Sequence, residues 1–139
     1  MPSIGEVTGR AGEDRGVAAI RKITILVVED ETLVRMLGTD MLETAGFIVR
    51  EAGDADEAIA ILSAEDDIAL LFSDIDMPGS MDGVGLAKLV HIRWPAIRLL
   101  LTSGRQSLSP EQLPEAGQFM RKPWTESALI GNVNSLLAA

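Results

Sequence analysis

The sequence predicts an α/β domain built on a five-stranded parallel sheet, and three observations carry that expectation. Short apolar, partly β-branched runs (Ile23–Val28, Ala69–Ser73, Ile97–Thr102) suit strands covered on both faces. Between them lie stretches with apolar residues at helical spacing, and strands alternating with helices imply parallel pairing through right-handed crossovers. The residues of chemical interest, Glu29, Asp30, Asp74, Thr102 and Lys122, all fall where an expected strand ends. That rim is where open α/β sheets bind their ligands.

In chain order, residues 1–21 hold Gly5, Gly9, Gly12 and Gly16 among mixed charges with no apolar period. They read as a flexible leader, or a docking arm, ahead of one domain over 22–139. After the first strand, Leu33, Met36, Leu37 and Met41 recur at helical spacing up to Gly46. Ile48 to Ala52 alternates and carries Arg50 and Glu51, which suits an edge strand. Asp54-x-x-Glu57 is a capping-box variant opening a helix with Ala55, Ala58, Ile59 and Leu62 on one face. A third helix is expected from Gly83 to Arg93, with Leu86, Ala87 and Val90 inward, ending before Pro95.

Ser103 to Gly117 is poor helix material: it holds two glycines and two prolines, and few apolar anchors. The fourth helix is therefore expected to be degraded to about one turn or absent. Gln118 to Arg121 is a short fifth strand. Trp124, Thr125 and Leu129 then form a hydrophobic staple around the start of the last helix. Lys122-Pro123 must turn at once from strand to helix while the lysine points back to the rim, which calls for a cis bond.

Composition narrows the function classes. A chain of 139 residues suits one core. With 21 acidic against 12 basic residues, a net charge of -9 and no basic stripe, a nucleic-acid partner is not expected. The absence of cysteine removes disulfides and thiolate metal sites and fits a reducing compartment. No apolar run approaches the roughly 20 residues that span a bilayer, and the N-terminus lacks a signal-peptide pattern. The expectation is a cytoplasmic protein with no membrane partner.

Each rim residue has an ordinary reading alone: an acidic first helical turn for Glu29-Asp30, a turn former for Asp74, a strand residue for Thr102, a solvated charge for Lys122. Together they describe a site. Two carboxylates about 4 Å apart repel by roughly 4 kcal/mol at an effective dielectric near 20, so a cation or protons must offset them. Hard oxygen ligands favour Mg²⁺; zinc is disfavoured because the single histidine, His91, falls on the third helix. A carboxylate beside such a metal, flanked by a hydroxyl and an ammonium, suits in-line phosphoryl transfer, with Asp74 itself as nucleophile.

These residues also match a family. Val27-Val28-Glu29-Asp30-Glu31, Ser73-Asp74-Ile75-Asp76-Met77-Pro78-Gly79, Met81-Asp82-Gly83, Leu101-Thr102-Ser103-Gly104 and Lys122-Pro123-Trp124 are its motifs. From Lys22 to its end, the chain resembles the receiver domain of two-component response regulators. The resemblance implies a flavodoxin-like, doubly wound sheet of strand order 2-1-3-4-5 and a phosphoacceptor at Asp74. It implies Mg²⁺ (or Mn²⁺) held by the Asp30 and Asp74 carboxylates and the main-chain carbonyl of Asp76, with Glu29 acting through water. Thr102 and Lys122 would read the phosphoryl group, and Thr102 and Phe119 occupy the switch positions. The implied partners are a histidine kinase and/or a histidine phosphotransfer protein. The resemblance implies a signalling domain that promotes only its own phosphorylation and dephosphorylation. Nothing follows Ala139, so a stand-alone regulator is expected; a homodimer is compatible with the sequence, and the downstream target is not legible in it.

Three departures from the family pattern stand out. The loop Pro78-Gly79-Ser80-Met81-Asp82-Gly83 is one residue longer than is common, Phe119 lacks a hydroxyl, and the fourth helix is degraded. Asp76 adds a further acidic side chain beside the site. Two rival readings exist. A haloacid-dehalogenase-type phosphatase shares Asp74-Ile75-Asp76, but Pro78 stands where that motif needs Thr or Val, and its acidic pair follows the lysine. A phosphorylation-independent interaction module would be marked by loss of Asp74, Thr102 or Lys122, and all three are present.

Overall fold

The computed structural model describes residues 22–139; the expected leader over 1–21 lies outside the described residues. The elements run β1 (Thr24–Val28), α1 (Thr32–Thr44), β2 (Ile48–Ala52), α2 (Ala55–Ala64), β3 (Ile68–Asp74), α3 (Gly83–Arg93), β4 (Arg98–Ser103), a 3-10 turn (Pro110–Gln112), β5 (Gly117–Arg121) and α4 (Glu126–Ala138). All strand pairs are parallel, in the order β2-β1-β3-β4-β5. This is the flavodoxin-like order that the resemblance implied, with β2 at an edge.

Successive side chains along a strand point to opposite faces, which explains why the inner strands are apolar almost throughout. Ile25, Val27, Leu70, Phe72 and Leu100 pack with Leu42, Leu129 and Val133 under α1 and α4. Their neighbours Leu26, Val28, Leu71, Leu99 and Leu101 pack with Ala58, Leu62, Leu86 and Val90 under α2 and α3. With both layers filled, buried polar residues gather at the strands' C-terminal ends: Glu29, Asp74, Thr102 and Ser103.

The helix signals hold at α2, α3 and α4. Asp54 Oδ1 accepts from the amide of Glu57 at 2.9 Å, while the Glu57 carboxylate reaches one residue further back than in a standard box, to the amide of Gly53 at 2.7 Å. Asp82 caps α3 through the amide of Gly85, and Leu86, Ala87 and Val90 are buried as expected. Thr125 caps α4 through the amide of Ala128, with Trp124 edge-on to Phe72 at 5.5 Å between ring centroids.

Helix α1 follows its expected apolar stripe only at Met41, which packs partly buried against the core. Leu33, Met36 and Leu37 are 80%, 55% and 51% exposed, and the buried residues are Gly38, Thr39 and Leu42. The cause is Trp124. A β-carbon on Gly38 would lie 3.3 Å from the indole and 3.6 Å from Phe72, so the helix seats on the sheet through its one residue without a side chain. That contact sets the buried face together with Leu42, which is fully buried in the same layer.

The fourth crossover is as degraded as its composition predicts. Between β4 and β5 only the three-residue 3-10 turn forms, so the C-terminal helix is the fourth in number. The Lys122–Pro123 bond is cis, as expected.

Candidate functional site

The site sits on the rim formed by the ends of β1, β3, β4 and β5. Parallel register places Val28 beside Ser73 and Asp74 beside Thr102. Glu29, one residue beyond β1, therefore lies next to Asp74. The start of α3 fixes the back of this rim. A β-carbon on Gly83 would stand 2.1 Å from the carbonyl oxygen of Asp74, and the Gly83 amide donates to the carbonyl of Ile75 at 3.0 Å. Only glycine permits this approach.

Glu29, Asp30 and Asp74 each bring one carboxylate oxygen into a group whose members lie within 4.8 Å of one another. Glu29 and Asp74 are buried, at 4% exposure each, while Asp30 is exposed. Lys122 reaches in from the end of β5, its Nζ 2.9 Å from Glu29 Oε1 and 3.3 Å from Asp74 Oδ1. The other Glu29 oxygen accepts from the amide of Glu31. Arg35, which sequence reasoning missed, donates to the carbonyl of Glu29 at 2.7 Å and ties α1 to the rim.

The electrostatics follow from burial. Burial pushes the Asp74 and Glu29 carboxyls above the usual carboxylate range, and Lys122, hydrogen-bonded to Glu29 and at ion-pair distance from Asp74, offsets only part of it. Burial alone would depress Lys122, but its bond to Glu29 and the charges of Asp74 and Glu29 outweigh it and hold the ammonium above its ordinary value. One ammonium thus serves two buried carboxylates, and the rim carries uncompensated negative charge.

Two polar atoms at the centre are unspent. Asp74 Oδ1 is buried and, although at ion-pair distance from Lys122, makes no aligned hydrogen bond; the Thr102 hydroxyl is buried without a partner. Such orphans are costly unless something else meets them. The cavity behind them, lined by Val34, Gly38, Phe72 and Trp124 among others, is about 10 Å³, too small for more than a single water. Any further partner has to arrive from the rim.

The two remaining expected residues are placed differently. Asp76 stands outside the converging carboxylates: its side chain accepts from Ser103 and Gln106 instead. These hydrogen bonds outweigh its burial and hold its carboxyl below the usual range. Phe119 pairs with Leu101 in register and packs, half-buried, against the α2 and α3 layer. Ser103 and Gln106 were not singled out as site residues; their Ser-x-x-Gln spacing, a helix-start pattern with no helix behind it, is the signal that marks them.

The arrangement fits a hard divalent cation: oxygen donors only, excess negative charge and an open side at Asp30. It also presents an uncommitted carboxylate oxygen as a nucleophile, with a hydroxyl and an ammonium at hand.

Comparison with known proteins shows the family. The family model described as the response regulator receiver domain matches residues 25–134. The chain is 32% identical over 118 residues to the sensor kinase CckA of Brucella abortus, covering 82% of this chain and 12% of that protein. It is 34% identical over 116 residues to the transcriptional regulatory protein ResD of Bacillus subtilis, covering 81% and 47%. A crystal structure of a response regulator receiver protein from Sinorhizobium medicae superposes with a TM-score of 0.79 at 27% identity, covering 85% of this chain and 96% of that one. The chain thus spans between about an eighth and about half of the length of these curated relatives. It belongs to the response-regulator receiver domain family.

Proposed function

We propose that Asp74 is the phosphoacceptor, taking a phosphoryl group from the phosphohistidine of a histidine kinase or a histidine phosphotransfer protein. The observation that carries this is Asp74 Oδ1: buried, free of hydrogen bonds, and 3.3 Å from a protonated lysine. In the transfer, an oxygen of Asp74 bonds to phosphorus as the donor's N–P bond breaks. The donor imidazole, protonated on its second nitrogen, leaves neutral. The product is an acyl phosphate.

Asp30, Asp74 and the main-chain carbonyl of Asp76 would hold Mg²⁺, with Glu29 acting through water. Mn²⁺ suits the same oxygen donors. The metal would neutralise charge on the transferring oxygens and shield the carboxylates from one another. Lys122, kept protonated by its two carboxylates, can follow a phosphoryl oxygen while its bond to Glu29 fixes its direction. The unpartnered Thr102 hydroxyl can donate to a second one.

The exposed stripe Leu33, Met36 and Leu37 begins three residues after Asp30, so a donor that reaches Asp74 across this rim meets it. We assign that stripe to the histidine-bearing domain of the phosphodonor. Signalling would then proceed by phosphorylation-dependent contact with a target protein. The domain organisation, residues 1–21 ahead of one domain over 22–139, is part of the same proposal.

Intact-mass spectrometry with a small acyl phosphodonor tests the assignment. Wild type should gain one phosphoryl group with Mg²⁺ and none with a chelator, and Asp74→Asn should gain none in either case. Equal labelling of both proteins would overturn it.

A further inference from the structure

The β4–β5 crossover lacks the helix that would anchor it, yet its first turn is tightly bonded. Ser103 ends β4 fully buried, and its hydroxyl donates to Asp76 Oδ2 at 2.5 Å. Ser103 Oγ in turn accepts from the amides of Arg105 at 3.0 Å and Gln106 at 2.9 Å. Gln106 Nε2 donates to the other Asp76 oxygen at 2.6 Å. Both oxygens of Asp76 are thereby committed to the crossover.

The bonding resembles an interrupted helix start. Ser103 meets the amide of Gln106 as an N-cap meets the third residue of a helix. In a capping box the Gln side chain would return to the cap's own amide, but the Ser103 backbone belongs to β4 and the side chain goes to Asp76. Gly104, Pro110 and Pro114 prevent the helix from continuing. A second tie, Arg121 to Ser107 Oγ at 2.6 Å, holds the segment to β5. Beyond these bonds the crossover relies on partly buried Leu108 and Leu113.

We propose that Asp76 is a positioning residue whose carboxylate clasps Ser103 and Gln106, holding the first turn of the crossover where a helix would otherwise do so. Its backbone lies in the loop that leaves Asp74, so one residue joins the rim to the crossover. A change in that loop moves the clasp, and a change in the clasp moves the loop; the coupling is reciprocal by necessity. The link to the metal rests on the function proposed above; the clasp itself does not.

Residue-resolved amide exchange by NMR on the metal-free protein tests the clasp. The Arg105 and Gln106 amides should exchange about tenfold faster in Asp76→Ala, the worth of one or two hydrogen bonds, with β1 and β3 unchanged. Gln106→Ala should give a smaller increase at the same amides. Unchanged exchange in both variants would overturn the proposal, as would uniform acceleration across the sheet in both, which would signal general destabilisation.

Adding Mg²⁺ tests the coupling. In wild type the resonances of residues 104–108 should shift along with those of 75–79; in Asp76→Ala the shifts should stop at the 75–79 loop. Shifts that persist at 104–108 in the variant would overturn the coupling. If wild type binds no Mg²⁺, the metal reading fails and the metal-free arm still decides the clasp.

Discussion

The rim is made of two halves built in different ways. On the β1–β3 side, Glu29 follows β1 and Asp74 ends β3, strands whose side chains fill both layers of the core, and the helix beyond Asp74 is capped by Asp82. On the β4–β5 side, the chain between Ser103 and Gly117 has a single 3-10 turn, and its first residues are held by polar bonds among Asp76, Ser103, Gln106, Ser107 and Arg121. Apolar burial is non-directional and resists small changes at the surface, whereas a few polar bonds can be exchanged one for another. The first half suits a fixed nucleophile and metal site. The second suits a response.

Removing a rim ligand should break the comparison most severely. Asp30→Ala should weaken Mg²⁺ affinity at least tenfold and slow labelling of Asp74, since a direct ligand outweighs the supporting groups that already cost tenfold or more. Titration calorimetry with Mg²⁺ checks it, and unchanged affinity would count against the site. Gly83→Ala comes next. Its β-carbon would collide with the Asp74 carbonyl, and forced repacking of that kind costs about 1–3 kcal/mol. A chemical denaturation midpoint equal to wild type would show that the start of α3 does not fix the rim.

A milder change sharpens the role of α1. Leu33→Asp with Leu37→Asp should slow transfer from a phosphorylated kinase or phosphotransfer protein about tenfold, the scale of losing about 1.4 kcal/mol of contact. Labelling by a small phosphodonor should stay at the wild-type rate. Equal slowing with both donors would place the effect in the site rather than in docking. The smallest effect is on stability. Asp74→Asn removes a buried carboxylate that shares one lysine with Glu29, so the metal-free variant should be more stable by about 0.5–2 kcal/mol, as when a strained functional group is relieved. A lower melting temperature would contradict this.

The two halves also differed in how far they could be read from sequence. Strand ends were legible because apolar runs stop abruptly near Glu29 and Asp74, and the bare crossover because Gly104, Pro110 and Pro114 exclude a helix. The buried face of α1 was not legible: its apolar stripe points outward because Trp124 and Phe72 claim Gly38. The direction of Asp76 was not legible either. In sequence it is one more acid beside the site, and only the fold brings Ser103 and Gln106, some thirty residues away, to both its oxygens.

On the function proposed above, phosphoryl chemistry at Asp74 would be read out by the polar half of the rim. Hydrogen exchange on the whole protein, with and without Mg²⁺ and beryllofluoride as an acyl-phosphate mimic, tests it most directly. In the free protein exchange should be slow in β1 and β3 and fast over Ser103–Gly117 beyond the clasped turn. On adding the mimic, the largest slowing should fall within Ser103–Gly117. Protection of that segment in both states, or slowing confined to α1 and α2, would contradict it.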